Sequence, residues 1–373
     1  MRHDMEKITL TINGQKVEAE KGMTVLEAAT AAGIYIPTLC YHPDLQPYGG
    51  CRLCVVEIEN VRGLPTSCTT PATDGMVVTT ESEAINEVRR TSLELILANH
   101  PCECLLCHRR DRCQPNDICL RHVAVTDRCV VCPRNGHCEL QQVVDYLGVH
   151  ELHISMDKKR VPIDTSNPFF DIDRNRCILC GRCVRTCQEI TCAGAIDMSY
   201  RGYSMKVATF GDTPLMDSTC RSCGECMVRC PVGAIVPKNT GQAETEVLTV
   251  CPYCGVGCQM YLGIADDHIV GVRGDEAGPA NQGLLCVKGR FGITEFVHHP
   301  ERLTTPLIKR NGHFEEASWE EALALVASKL ENYESDQVAV ISSAKCTNED
   351  NYVAQKFARA VLGTNNVDHC ARL

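Results

Sequence analysis

The stretches CILCGRCVRTC at 177–187 and CRSCGECMVRCP at 220–231 each carry the run C-x2-C-x2-C-x3-C. A run used twice in one chain is an internal repeat. Sulfurs at this spacing suit iron-sulfur ligation, in which the fourth cysteine of each run serves the cluster of the other. The expected groups are Cys177, Cys180 and Cys183 with Cys230, and Cys220, Cys223 and Cys226 with Cys187. Zinc has no use for three cysteines at two-residue spacing twice over. Pro231 follows Cys230 as the pattern expects, whereas Gln188 follows Cys187 and Cys192 stands nearby as a bystander.

These runs resemble the bacterial two-cluster ferredoxin, and the rest of the composition agrees with that chemistry. The chain holds 27 cysteines in 373 residues, about 7%, several-fold above ordinary globular usage and in a chain too long for a small disulfide scaffold. No apolar run is long enough for a membrane span, and the start MRHDMEKITL has no apolar signal core and no twin arginine. A cytoplasmic location is therefore expected, where thiols stay reduced and bind metal rather than pair. The formal net charge of -10 makes a nucleic-acid backbone an unsuitable partner.

Toward the N-terminus, ITLTINGQKVEA (8–19) alternates around Asn13-Gly14, the signal of a β-hairpin. Thr24 caps a helix that Gly33 ends, which gives a ββα start, and Cys40 follows in a loop. Cys40, Cys51, Cys54 and Cys68 have the spacing C-x10-C-x2-C-x13-C within glycine-rich YGGCRLC, a four-thiolate set for a 2Fe-2S cluster, with a zinc knuckle as the alternative. The set resembles the N-terminal domain of the large iron-sulfur subunit of respiratory complex I and of iron hydrogenases. A helix is expected over 83–99, with Ile85, Val88, Leu93, Ile96 and Leu97 on one face.

His100, Cys104, Cys107 and Cys113 then read H-x3-C-x2-C-x5-C, which resembles the next domain of those families, where one histidine and three cysteines hold a 4Fe-4S cluster. Cys129, Cys132 and Cys138 repeat the cysteine part, in a context, CPRNGHCELQ, closer to the family's usual ending. With Cys119 they make a further set of four thiolates, so four or five 4Fe-4S clusters are expected.

Toward the C-terminus, Cys251, Cys254, Cys258 and Cys286 stand in CPYCGVGC and GLLCVKGRF. These resemble the 4Fe-4S domain that opens molybdopterin oxidoreductases, among them metal-dependent formate dehydrogenases. The resemblance implies that Lys288 lies between cluster and pterin, a catalytic and cofactor-binding role, against the plain alternative of a surface lysine. It also implies a molybdenum or tungsten bis(molybdopterin guanine dinucleotide) cofactor in the full-length protein. Ser318 with Glu321 predicts a capping box for a helix over 319–332, VAVIS a buried strand, and 348–362 a further helix, the opening of an α/β domain. The tail GTNNVDHCARL resembles the segment that runs into the catalytic selenocysteine or cysteine of formate dehydrogenases, so Leu373 is expected to mark a truncated reading of a selenoprotein.

The expected architecture is an α+β multidomain iron-sulfur protein. It comprises a β-grasp 2Fe-2S ferredoxin domain (1–82), a histidine/cysteine-ligated 4Fe-4S domain (83–150), a two-4Fe-4S ferredoxin domain (168–240), the 4Fe-4S domain of a molybdopterin oxidoreductase (246–302) and the start of its α/β unit (303–373). The resemblance implies formate and carbon dioxide as substrates, with a flavin/NAD(P)-binding or ferredoxin-type subunit as electron partner. The alternative is a noncatalytic electron-transfer subunit of an NADH dehydrogenase or hydrogenase complex.

Overall fold

The computed structural model describes residues 6–154, 158–238, 241 and 243–370. The opening residues 1–5 and the last three of the HCARL tail lie outside the described residues. The chain divides into two units, Met1–Lys238 and Asn239–Leu373.

In the first unit, Ile8, Leu10 and Ile12 of β1 (Lys7–Ile12) and Val17 and Ala19 of β2 (Gln15–Glu20) alternate onto one buried face. The strands pair antiparallel, and Asn13 and Gly14 turn between them at φ 52° and 80°, the two positive values a two-residue hairpin needs. Thr24 starts α1 (Val25–Ala31) with a reciprocal capping box, its hydroxyl accepting from the Glu27 amide and the Glu27 carboxylate accepting from its own. Two short strands, β3 (Glu57–Ile58) and β4 (Val77–Thr79), complete the sheet in the order β2-β1-β4-β3, with β4 parallel to β1. Cys54 and Cys68 belong to the core under this sheet.

Ser82 caps α2 (Glu83–Ala98), which buries Ile85, Leu93 and Leu97. The same face carries Arg89, fully buried, whose guanidinium donates to the carbonyls of Leu53 (3.0 Å) and Val55 (3.1 Å) and pairs with Glu81 (2.9 Å). A second helix, α3 (Glu139–Leu147), packs beside α2 and ends at Gly148 with φ 61°.

The repeat follows as β5 (Phe170–Ile172), α4 (Arg182–Arg185), β6 (Asp197–Ser199), β7 (Lys206–Ala208), α5 (Glu225–Val228) and β8 (Ile235–Pro237). The outer strands β5 and β8 pair antiparallel, as do β6 and β7. Its two halves turn alike: Leu179 and Ser222 adopt φ 57° and 53°, and Gly181 and Gly224 adopt 73° and 77° just before their helices.

The second unit opens with an antiparallel meander of β9 (Thr245–Val250), β10 (Gln259–Ala265) and β11 (His268–Gly274). Met260, Leu285, Cys251 and Ile293 of α6 (Ile293–Val297) form its core. A hairpin of β12 (Leu307–Arg310) and β13 (His313–Glu316) leads to α7 (Trp319–Leu330). The strand β14 (Val340–Ser342), the helix α8 (Asn348–Ala360) and β15 (Val367–His369) then make a β-α-β crossover with parallel strands.

Two helix expectations need correction. Ser318 accepts from the Glu321 amide, but the Glu321 carboxylate turns to the Arg310 guanidinium, so only half of that capping box forms. The reciprocal box belongs instead to Thr347 and Asp350 at the start of α8, and the two helices stop at Leu330 and Ala360.

Candidate metal centres

The loop after α1 and the turn before β3 bring the first four cysteines together. The Cys51 amide donates to the Cys40 sulfur at 3.5 Å, and the Ser67 amide donates to the Cys54 carbonyl at 2.9 Å. Hydrogen bonds from the Cys51 and Cys68 thiols drive the Cys40 thiol far down, while Cys68, which donates to both Cys40 and Cys54, is driven up. Packed this closely, the thiols share protons, and all four ionise only beside a positive charge such as iron. That donor set fits a 2Fe-2S cluster.

The repeat gathers two more sets. Cys183 lies in the field of Cys177, Cys180 and Cys230, and Cys226 in that of Cys223, Cys220 and Cys187. The left-handed turns at Leu179 and Ser222 aim backbone amides at the sulfurs of Cys177 and Cys220, both at 3.4 Å. A third amide, from Ala195, reaches the Cys187 sulfur at 3.3 Å. Such donors stabilise thiolates and tune a cluster. Burial pushes Cys177 up to about 11 and Cys180 up to about 12, so these thiols need a metal to ionise. Cys187, Cys220, Cys223 and Cys226 line one cavity with Phe170 and Leu215. Cys192 is exposed.

Between α2 and α3, His100 is buried just past the C-cap of α2, its Nδ1 3.1 Å from the Pro101 carbonyl oxygen. Burial holds its imidazole neutral by pulling the pKa down to about 4. Cys104, Cys107, Cys113, Cys119 and Cys129 line a single cavity. Cys119 thus shares that wall both with Cys104, Cys107 and Cys113 and with Cys129, its expected partner. Cys138 is buried at the start of α3 and lies in the field of Cys132 and Cys230.

In the second unit the end of β9 and the start of β10 hold three cysteines of the last expected set, Cys251, Cys254 and Cys258. The Cys251 amide donates to the Cys258 carbonyl at 2.8 Å, and Cys258 lies in the field of Cys251, Cys254 and Cys286. Gly289 is buried against Cys251, where an added Cβ would lie 3.6 Å from the sulfur. Lys288 begins the turn after Cys286 and is exposed. No group of three or more His, Cys, Asp or Glu among the described residues converges on a single ion. Thiolates that hold a cage of several irons stand around it instead.

Sequence reasoning missed the arginines that brace these loops. Arg182 pairs with Glu139 through two bonds of 2.7 Å, and Arg229 bridges Glu225 (2.5 Å) and Asp44 (2.6 Å). Glu139 and Asp44 are distant in sequence, so only a rule that buried cations find carboxylates could have flagged those pairs, whereas Glu225 lies one helical turn before Arg229 and was a local signal.

Five family models match the chain in order. They describe a 2Fe-2S iron-sulfur cluster binding domain (5–83), an NADH-ubiquinone oxidoreductase-G iron-sulfur binding region (126–153) and an NADH-quinone oxidoreductase subunit 3 ferredoxin-like domain (167–236). A molybdopterin oxidoreductase Fe4S4 domain (244–299) and the molybdopterin oxidoreductase model itself (302–373) follow. Residues 244–373 thus carry the 4Fe-4S domain and the opening of a molybdopterin oxidoreductase unit. Iron-sulfur domains of the complex I type stand ahead of them.

Among similar curated proteins, an NADH-quinone oxidoreductase subunit of Rhizobium meliloti is 37% identical across 98% of this chain and 40% of its own length. The NADPH-Fe(3+) oxidoreductase subunit alpha of Geobacter sulfurreducens is 35% identical with the same coverage. A Staphylococcus aureus protein named "Putative formate dehydrogenase" is 31% identical over 98% of this chain and 39% of its own. The chain thus spans about two fifths of the length of these relatives. A chain of a solved NAD+-reducing [NiFe]-hydrogenase is also similar, with TM-score 0.52, 33% identity, and coverage of 63% of this chain and 88% of that one. No helix among the described residues is long and apolar enough to cross a membrane.

Proposed function

We propose that this chain is the iron-sulfur electron-transfer portion of a formate dehydrogenase that interconverts formate and carbon dioxide. Formate oxidation yields carbon dioxide, one proton and two electrons, and clusters accept electrons singly. The observation that carries the reading is the Cys251, Cys254, Cys258 and Cys286 set, three of it at the turn between β9 and β10 and the fourth two residues before Lys288. In the family that segment resembles, this lysine lies between cluster and pterin. A bound molybdenum or tungsten bis(molybdopterin guanine dinucleotide) would supply the two-electron chemistry. Lys288 would contact the pterin, and the cysteine sets would hold one 2Fe-2S and four or five 4Fe-4S clusters. A flavin/NAD(P)-binding or ferredoxin-type subunit would exchange electrons with the N-terminal clusters.

A second reading, a noncatalytic electron-transfer subunit, is favoured by the likeness to a quinone oxidoreductase subunit and to a hydrogenase chain. The two separate on the anaerobically purified full-length protein with its co-purifying subunits. The first predicts roughly 18 to 22 iron atoms from these cysteine sets, together with molybdenum or tungsten, and formate-dependent reduction of a viologen dye. Iron without either metal, no reaction with formate, and clusters reduced by NADH through the partner would establish the second. Stoichiometric zinc with little iron would reject both.

A further inference from the structure

We infer that residues 102–128 form a separate cluster-binding loop in which Cys104, Cys107, Cys113 and Cys119 hold their own 4Fe-4S cluster, while His100 acts with Cys129, Cys132 and Cys138 on another. The inference rests on the reading above that these side chains bind iron.

The loop closes on itself. Arg121 donates to the Leu106 carbonyl at 3.1 Å, and Arg128, buried, donates to the carbonyls of Asp117 (2.8 Å), Val123 (3.2 Å) and Pro115 (3.3 Å). These bonds fold the chain around the cavity that the four cysteines line together with Cys129. The Val123 amide points at the Cys119 sulfur at 3.4 Å, the same device the repeat uses at Cys177 and Cys220. Arg109, Arg110, Arg121 and Arg128 share the cavity wall with the cysteines. A 4Fe-4S core with four thiolates carries net negative charge, which a guanidinium-rich wall offsets.

Cys132 and Cys138 face elsewhere. The Cys132 sulfur sits 2.4 Å from where a Cβ on Gly233 would be, so it fills the space that glycine leaves open. Cys138 precedes Glu139, whose amide donates to the Pro231 carbonyl at 3.0 Å, and Cys138 lies in the field of Cys132. Arg176 marks the same place: its guanidinium lies 3.7 Å from that Gly233 position and donates to the Thr126 carbonyl.

Cys129 stands at the seam, its thiol hydrogen-bonded to Cys104 and in the field of Cys132. Four cysteines complete the loop's set without it, so Cys129 falls to the second set, which His100 completes as the fourth ligand. The matched family region, 126–153, contains Cys129, Cys132 and Cys138 and begins after the loop's own cysteines.

The partition is tested by counting iron in full-length holoprotein variants purified anaerobically. Cys113→Ala and Cys119→Ala combined in one chain should lose about four iron atoms, no more than either alone, and so should His100→Ala combined with Cys138→Ala. Additive loss of about eight atoms in either pair would place its members on different clusters and overturn the inference. His100→Cys covers the case in which the alanine variants fail to fold. It should keep wild-type iron and shift one paramagnetic signal that Cys113→Ser leaves in place. A shift confined to the signal that Cys113→Ser abolishes would overturn the partition. Wild-type protein with zinc instead of iron would reject the iron reading itself, an outcome distinct from a wrong partition.

Discussion

Arg185 of α4 donates to the main-chain carbonyl of Cys40 and, at 2.6 Å, to that of Gln46, with its guanidinium stacked over the Tyr48 ring at 5.1 Å. A helix of the ferredoxin-like repeat thereby holds the loop that carries the first cysteine of the 2Fe-2S set.

Arg185→Met keeps the stem of the side chain and removes both bonds. Leaving two carbonyls unpaired costs about 3 kcal/mol. The expected result is faster loss of the 2Fe-2S paramagnetic signal on warming, with the signals of the Cys177–Cys230 sets outlasting it. Equal lifetimes for all signals would show that Arg185 does not brace that loop.

Arg89→Leu should cost about 3 kcal/mol, because it strands the buried Leu53 and Val55 carbonyls. Thermal unfolding measured against Arg90→Leu, an exposed neighbour on the same helix, checks it. Matching transitions for the two variants would contradict the role given to Arg89.

At Gly274 an added Cβ would meet the Gly283 carbonyl oxygen at 2.0 Å. The Asp275 carbonyl next to it also accepts from the Gly283 amide at 2.8 Å, so the segment leading to Cys286 has no room to withdraw. Gly274→Ala is therefore expected to destabilise the second unit by about 2 kcal/mol and to lower the occupancy of its cluster selectively. Iron analysis of the variant, with unchanged first-unit signals as the control, tests this.

Glu94 on α2 accepts from the main-chain amide of His153 at 3.0 Å and pairs with its ring at the same distance. The carboxylate raises the His153 pKa above its ordinary value of about 6.5. A raised folded-state pKa means that the pair's stabilisation is complete below that ordinary value and fades as pH rises through the higher folded one. The stability gap between wild type and His153→Asn should then be present at pH 6 and shrink toward pH 9. His153 is exposed, so the gap is small, and a gap that widens with pH would refute the pairing.

Local chemistry made much of this molecule legible from its sequence. Asn13-Gly14, the cap at Thr24, and the doubled cysteine run each act over a few residues, and each is found where its spacing places it. What the sequence hid depends on long-range partners. Arg89 sits on an apolar helix face because two carbonyls from a distant loop accept its protons, and nothing in its neighbours announces that. Glu321 abandons its cap for Arg310, a competition between two local rules that only geometry decides. The fold of the 102–128 loop escaped a reading by spacing, because Arg121 and Arg128 close it through main-chain carbonyls.

The buried hold of Arg89 on the loop between Cys51 and Cys68 also fixes a length. From Arg89 to the end of α2, beside His100, the helix rises about 15 Å at 1.5 Å per residue. The run from the first metal site to the imidazole is therefore a strut pinned at one end rather than a tether. If the two sites exchange electrons as proposed, the rigid helix would hold the distance between them constant.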